Sequence, residues 1–149
     1  MTSTYLSKAA FRPSVLWLAV IFAVLLAACS GDTPPPTGKD TGAVVSVTDE
    51  QGFREVLADA GGRLVVVDLY ADWCRPCRQL APLLNNLATE YRDRAGFFKI
   101  NVDANRQLAQ SMGMRGIPYV VFIKNHTVVD TLTGLHPKAT YRSIIQKHL

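Results

Sequence analysis

The stretch Leu64–Ala71 (LVVVDLYA) constrains the fold more than any other part of the chain. It is apolar and rich in β-branched residues apart from one aspartate, as expected of a strand buried on both faces of a sheet. Directly beyond Asp72 the chain reads Trp73-Cys74-Arg75-Pro76-Cys77, and then its period changes. Leu80, Leu83, Leu84, Leu87 and Tyr91 recur at the spacing of one helical stripe. A central strand that runs into a long helix across two cysteines fixes the middle of the domain.

The other elements read outward from there. Val44–Val47 is a short strand candidate. Thr48 and Gln51 form a capping-box pattern, and Phe53, Val56, Leu57 and Ala60 follow at helical spacing until Gly61-Gly62 stops them. The helix after the cysteines is predicted from Cys74 to Arg92, kinked at Pro82. Phe97–Val102 reads as a strand and Asn105–Met112 as a short helix. Tyr119–Lys124 and Val128–Leu132 read as a hairpin around Asn125-His126. Pro137 opens a last amphipathic helix bearing Tyr141, Ile144, Ile145 and Leu149. The order βαβαβαββα implies right-handed parallel crossovers plus a final antiparallel hairpin. The expected class is α/β: a central mixed sheet of about five strands flanked by about four helices.

Residues before this domain suggest where it works. Lys8 and Arg12 form a basic segment, and Val15–Ala28 is an uncharged apolar run ending Leu26-Ala27-Ala28-Cys29. The layout is that of a signal peptide, and the run is short for a membrane span, which takes about 20 residues. A cysteine behind two small residues resembles the lipobox of bacterial lipoproteins, in which the cysteine is acylated and becomes the first mature residue. The alternatives are an ordinary signal peptide with an incidental cysteine, or an uncleaved anchor. By resemblance to enterobacterial sorting, Ser30 in place of aspartate favours the outer membrane over the inner one. Ser30–Gly42, with Pro34-Pro35-Pro36, reads as an extended disordered tether. The expected organisation is a lipoprotein signal peptide over 1–28, a lipidated Cys29 and tether over 29–42, and one domain over 43–149. Without Lys8 and Arg12 the net charge falls from +4 to +2, and no basic stripe suggests nucleic acid.

Cysteine chemistry then narrows the activity. Two of the three cysteines lie in the Cys74-Arg75-Pro76-Cys77 motif, where they can close into a disulfide and reopen. Disulfide exchange needs a thiolate. Cys74 sits where strand becomes helix, so helix-end amides and the nearby Arg75 and Arg78 favour its charge. It is read as the nucleophile, and Cys77 as the cysteine that resolves the mixed disulfide. Pro76 fits a first turn, where a missing amide hydrogen costs nothing. A zinc site would need four ligands, and His126, His136 and His148 are scattered without ligand spacing. A purely structural disulfide is the other alternative, yet so short a loop constrains little of the unfolded chain. Asp68, inside the apolar strand, is expected to hold its proton more tightly than usual.

Over residues 43–149 the chain resembles the thioredoxin family. The matching runs are Val67–Cys74, Pro82 at the helix kink, Lys99-Ile100-Asn101-Val102-Asp103, Arg115-Gly116-Ile117-Pro118, and Gly134 with Lys138. The resemblance implies a thioredoxin fold and a redox disulfide Cys74–Cys77 with no cofactor beyond it. It gives Asp68 a proton-relay role toward Cys77 by way of water, with Lys99 as its partner. A buried structural Asp68 and a solvated Lys99 remain open alternatives. Pro118 is expected in the cis form facing Cys74, and Ile117 is expected to pair with an extended substrate. Trp73 is expected to pack beside the disulfide and shape the docking surface, unless it is simply core. Tyr119 replaces the threonine common after this proline, and Met112 and Met114 read as packing residues. Asp68–Cys74 also resembles the C-terminal periplasmic domain of the DsbD-type disulfide reductase. The chain lacks the insertion between Phe97 and Pro118 that is usual in cytochrome-c-maturation thioredoxins.

The function expected on this reading is a monomeric thiol–disulfide oxidoreductase of the cell envelope, facing the periplasm. It would reduce disulfides in exported proteins and be recharged by a DsbD-type membrane donor. Pro76, Asp68 with Lys99, and Ile117 favour reduction. A dithiol oxidase or isomerase is the second reading, although oxidases usually carry histidine where Pro76 stands. A tethered, non-catalytic binding module is the third.

Overall fold

The computed structural model describes residues 42–149. The expected signal peptide over 1–28, Cys29, Ser30 and the proline-rich stretch lie outside the described residues. The strands are β1 (Val45–Val47), β2 (Leu64–Tyr70), β3 (Ala95–Asn101), β4 (Tyr119–Lys124) and β5 (Thr127–Thr133). The helices are α1 (Glu50–Asp59), α2 (Arg75–Tyr91), α3 (Arg106–Ser111) and α4 (Lys138–His148). The sheet order is β1-β3-β2-β4-β5. Strands β1, β3 and β2 are parallel, whereas β4 is antiparallel to both β2 and β5. This is the mixed five-stranded α/β architecture read from the sequence.

Each element has a local cause. At α1 the cap is not Thr48: the Asp49 carboxylate accepts the Gly52 amide at 2.8 Å, and the Thr48 hydroxyl donates to Asp49. A carboxylate is favoured there by the unpaired amides and the positive end of the helix. Gln51 donates to Glu55 instead of closing a capping box. Helix α2 starts at Arg75, with Cys74 as its cap, and continues through Pro82 to Tyr91. The β4–β5 turn places Asn125 and His126 at φ of 51° and 61°. Two left-handed residues in succession give the twist that a tight hairpin needs.

Side-chain alternation divides the core into two layers. Val65, Val67 and Leu69 of β2 pack with Phe53 and Val56 of α1 and Leu108 and Ala109 of α3. Leu64 and Val66 belong to the other layer, with Leu80, Leu84, Leu87 and Tyr91 of α2 and Tyr141 and Ile145 of α4. Each fully buried aliphatic side chain contributes roughly 1.5–3 kcal/mol relative to exposure. In step with Leu64 and Val66, Asp68 falls on the layer covered by α2 and α4, whereas Tyr70, at the end of the strand, packs against the layer that holds Cys74 and Cys77. Strand geometry alone thus turns one carboxyl into the layer under α2 and α4, near the end of β2 where the cysteines follow. Among the described residues, no helix is long and apolar enough to cross a membrane.

Candidate active site

Cys74 and Cys77 are joined by a disulfide with their Cα atoms 5.3 Å apart. Cys74 leaves β2 in an extended conformation and caps α2, its Sγ accepting the Cys77 amide at 3.2 Å. The Cys74 amide donates to Ala71 O, and Cys74 O accepts from Arg78 N. Cys74 is therefore fixed from both sides by backbone. Both cysteines are only 3% exposed, so a partner must dock closely to reach sulfur. When the pair is open, a thiolate on Cys74 sits at the positive end of a helix and accepts an amide hydrogen, both of which favour a negative charge there. Arg75 and Pro76 occupy the first turn. Arg78 donates from its guanidinium to Asp72 O at 2.7 Å.

Trp73 stands beside the cysteines with 68% of its surface exposed, which rules out the core-packing alternative. Its indole Nε1 donates to Asp103 Oδ2 at 2.9 Å. The Asp103 amide donates to Asn101 Oδ1, and Asn101 Nδ2 donates to Asp72 Oδ2. Sequence reasoning left Asp72, Asn101 and Asp103 without a role. The signal was the parallel pairing of β2 with β3, in register at Tyr70 and Asn101, which brings the residues after both strands together.

The Ile117–Pro118 peptide bond is cis. Because Leu69 pairs with Tyr119, the residues before β4 run back alongside the end of β2. Pro118 is buried and Ile117 half-buried. Pro118 O accepts from Gly134 N at 2.7 Å, and Gly134 holds φ at 88°, a conformation that favours glycine. Tyr119 is buried in the layer shared with the cysteines, and Met112 and Met114 pack against that layer.

Asp68 is 4% exposed, the single buried charged residue among the described residues. Its Oδ1 has no hydrogen-bond partner, contrary to the alternative of a structurally bonded carboxylate. Burial raises its pKa from 3.8 to about 7, and the Lys99 charge opposes that rise. Lys99 is the register partner of Asp68 across β2 and β3. Its ammonium nevertheless lies over the Tyr70 ring, 5.4 Å from the centroid. Lys99 therefore acts on Asp68 through space, and its close contact is aromatic. Tyr70 is itself raised above its usual pKa, first by burial and then by Asp72 and Asp68.

Lys138 lies away from this chemistry. Its Nζ is 3.5 Å from Glu90 Oε2, and Arg142 holds the same carboxylate with two hydrogen bonds of 2.9 Å. Hydrogen bonding from Arg142 is the main cause that brings Glu90 down to about 2. These contacts tie α4 to α2. His136 contacts Thr133 O and His148 contacts Asp130. No group of acidic, histidine or cysteine side chains among the described residues could hold a metal ion.

Opening and closing this disulfide moves two electrons, and the fold and site together define a thiol–disulfide oxidoreductase that works through Cys74–Cys77. The thioredoxin family model matches residues 43–147, and the chain belongs to the thioredoxin family. It is 38% identical over 104 residues to thioredoxin 1 of Synechococcus elongatus, covering 70% of this chain and 95% of that protein. With thioredoxin of Bacillus subtilis it shares 36% identity over 107 residues, covering 72% and 99% respectively. The crystal structure of Malassezia sympodialis thioredoxin superposes with a TM-score of 0.66 at 34% identity, covering 73% of this chain and 93% of that one.

Proposed function

We propose that this oxidoreductase is a protein-disulfide reductase of the bacterial cell envelope. A lipid on Cys29 anchors it after removal of residues 1–28, and residues 30–42 form the tether, facing the periplasm. Ser30 favours the outer membrane. Its substrates are disulfide-bearing exported proteins, and a membrane donor of the DsbD type recharges it. The observation that carries the chemistry is the Cys74 sulfur capping α2 at the Cys77 amide.

In the reduced protein the Cys74 thiolate attacks one sulfur of the partner's disulfide and expels the other as a thiolate. Cys77 then gives its proton, by way of water, to Asp68, attacks Cys74 Sγ and releases the second partner sulfur. The partner gains two electrons and, from Asp68 and solvent, two protons. The protein is left with the disulfide described above. A carboxyl with a pKa of about 7 suits this transfer, because it can accept and yield a proton near neutral pH. Trp73, exposed next to Cys74 in the chain, and Ile117 contact the partner, and Pro118 positions Ile117 for that contact. Pro76 between the cysteines supports reduction, since the strong oxidants of this fold stabilise their dithiol form.

The reduction potential of Cys74/Cys77 tests direction. A value near the roughly −270 mV of thioredoxin is expected, and one near the roughly −120 mV of DsbA overturns the reductase reading in favour of an oxidase. Membrane partition of Cys29→Ser tests the anchor: the protein should move to the soluble fraction, and an unchanged membrane fraction refutes lipidation there. Cys74→Ser should abolish disulfide exchange, whereas a non-catalytic binding module would keep its activity.

A further inference from the structure

We propose that Tyr70 is a positioning residue that holds the Lys99 ammonium on its ring face and keeps it off the Asp68 carboxyl. Three observations carry this. Asp68 and Lys99 are register partners on adjacent parallel strands, so their side chains leave the sheet on the same face. The lysine nonetheless places Nζ 5.4 Å from the Tyr70 ring centroid, within the range of a cation–π contact. The carboxyl it would otherwise join keeps a buried oxygen with no partner.

Tyr70 follows Asp68 by two residues at the end of β2, and Lys99 reaches the ring while its charge acts on the carboxyl, so the ring and the carboxyl compete for one ammonium. The competition matters because the two outcomes set different chemistry. A lysine in contact with the carboxylate would hold it ionised, and an ionised group can no longer give back a proton at neutral pH. A lysine held on the ring leaves burial in control of Asp68. Lys99 of β3 is the charge that acts on Asp68, and Tyr70 of β2 and Tyr141 of α4 both feel the Asp68 charge. Cys77 of α2 is held in the disulfide and does not titrate in the oxidised protein.

This inference rests on the relay role given to Asp68 for its meaning, but its test does not. The carboxyl-carbon NMR titration of Asp68 in the full-length oxidised protein reads the effect directly. Tyr70→Leu should lower the Asp68 midpoint by about one pH unit, as Lys99 swings onto the carboxylate. Tyr70→Phe, which keeps the ring face, should leave the midpoint in place. In a Lys99→Met background, Tyr70→Leu should no longer lower it. The proposal is overturned if Tyr70→Leu does not lower the midpoint. It is equally overturned if the drop is the same with and without Lys99, since the ring would then only exclude water. Should Tyr70→Leu not fold, Tyr70→Met offers an apolar chain without a π face. The relay itself is judged separately: an Asp68→Asn protein that exchanges disulfides at the parent rate refutes the relay and leaves the titration result standing.

Discussion

Replacing Asp68 with asparagine should make the oxidised protein more stable at alkaline pH, and by an amount that depends on pH. Asp68 is almost fully buried, and burial lifts its pKa from 3.8 to about 7. Because the folded-state value is the higher one, the folded protein binds this proton more tightly than the unfolded chain does. The contribution to stability is therefore complete below the unfolded value, and it is lost as pH rises through the folded one. The difference spans about three pH units, and each unit corresponds to about 1.4 kcal/mol, so the loss approaches ~4 kcal/mol as an upper bound. Asparagine keeps the shape and never ionises. Any cost of its unpaired amide is the same at every pH. Urea unfolding of parent and Asp68→Asn should thus give a stability difference that is flat below about pH 4. That difference should then move in favour of the variant up to about pH 8. A difference constant across that window would refute the raised pKa and with it the proposed proton chemistry.

Further outcomes follow from the same geometry. Cys77→Ala should trap substrates as mixed disulfides on Cys74, visible as higher-mass bands that collapse on reduction; failure to trap would argue against Cys74 as the attacking residue. Trp73→Phe removes the bond to Asp103 from an exposed residue. It should raise KM for protein disulfides several-fold with little change in Tm, because the indole lies on the surface and not in the core. A fall in Tm with unchanged KM would assign Trp73 to stability. Leu80→Ala empties a site with no exposure, and should cost about 2–5 kcal/mol in urea unfolding; a loss below about 1 kcal/mol would mean that the α2 layer can collapse into the space.

Period and composition made the sheet legible. Leu64–Tyr70 is apolar but for Asp68 because β2 is covered on both faces, and the switch to helical spacing after Cys74 marks α2 to within a residue. Boundaries were less legible where two neighbours compete for one role. Thr48 and Asp49 both suit a helix cap, and only the three-dimensional turn selects the carboxylate. Strand β3 begins at Ala95, earlier than Phe97, because pairing with Leu64 and Val65 carries Ala95 and Gly96 into the sheet despite their low strand preference. The cysteines stood out by their two-residue spacing, and Asp68 because a charged residue rarely sits in an apolar strand. The link from Trp73 through Asp103 and Asn101 to Asp72 did not, because it joins residues some thirty positions apart in sequence. For the same reason the sequence could align Lys99 with Asp68 but could not reveal that an aromatic ring takes the ammonium.

The sulfur of Cys74 is both the reacting atom and the cap of a helix. Each turnover consequently changes what closes that helix: a charged acceptor in the dithiol protein and a neutral, weaker one in the disulfide. The Cys77 amide proton feels this exchange directly. Its resonance position and its rate of exchange with solvent become a built-in gauge of the oxidation state, readable without any added probe. The same gauge would follow a mixed disulfide while a partner is still attached.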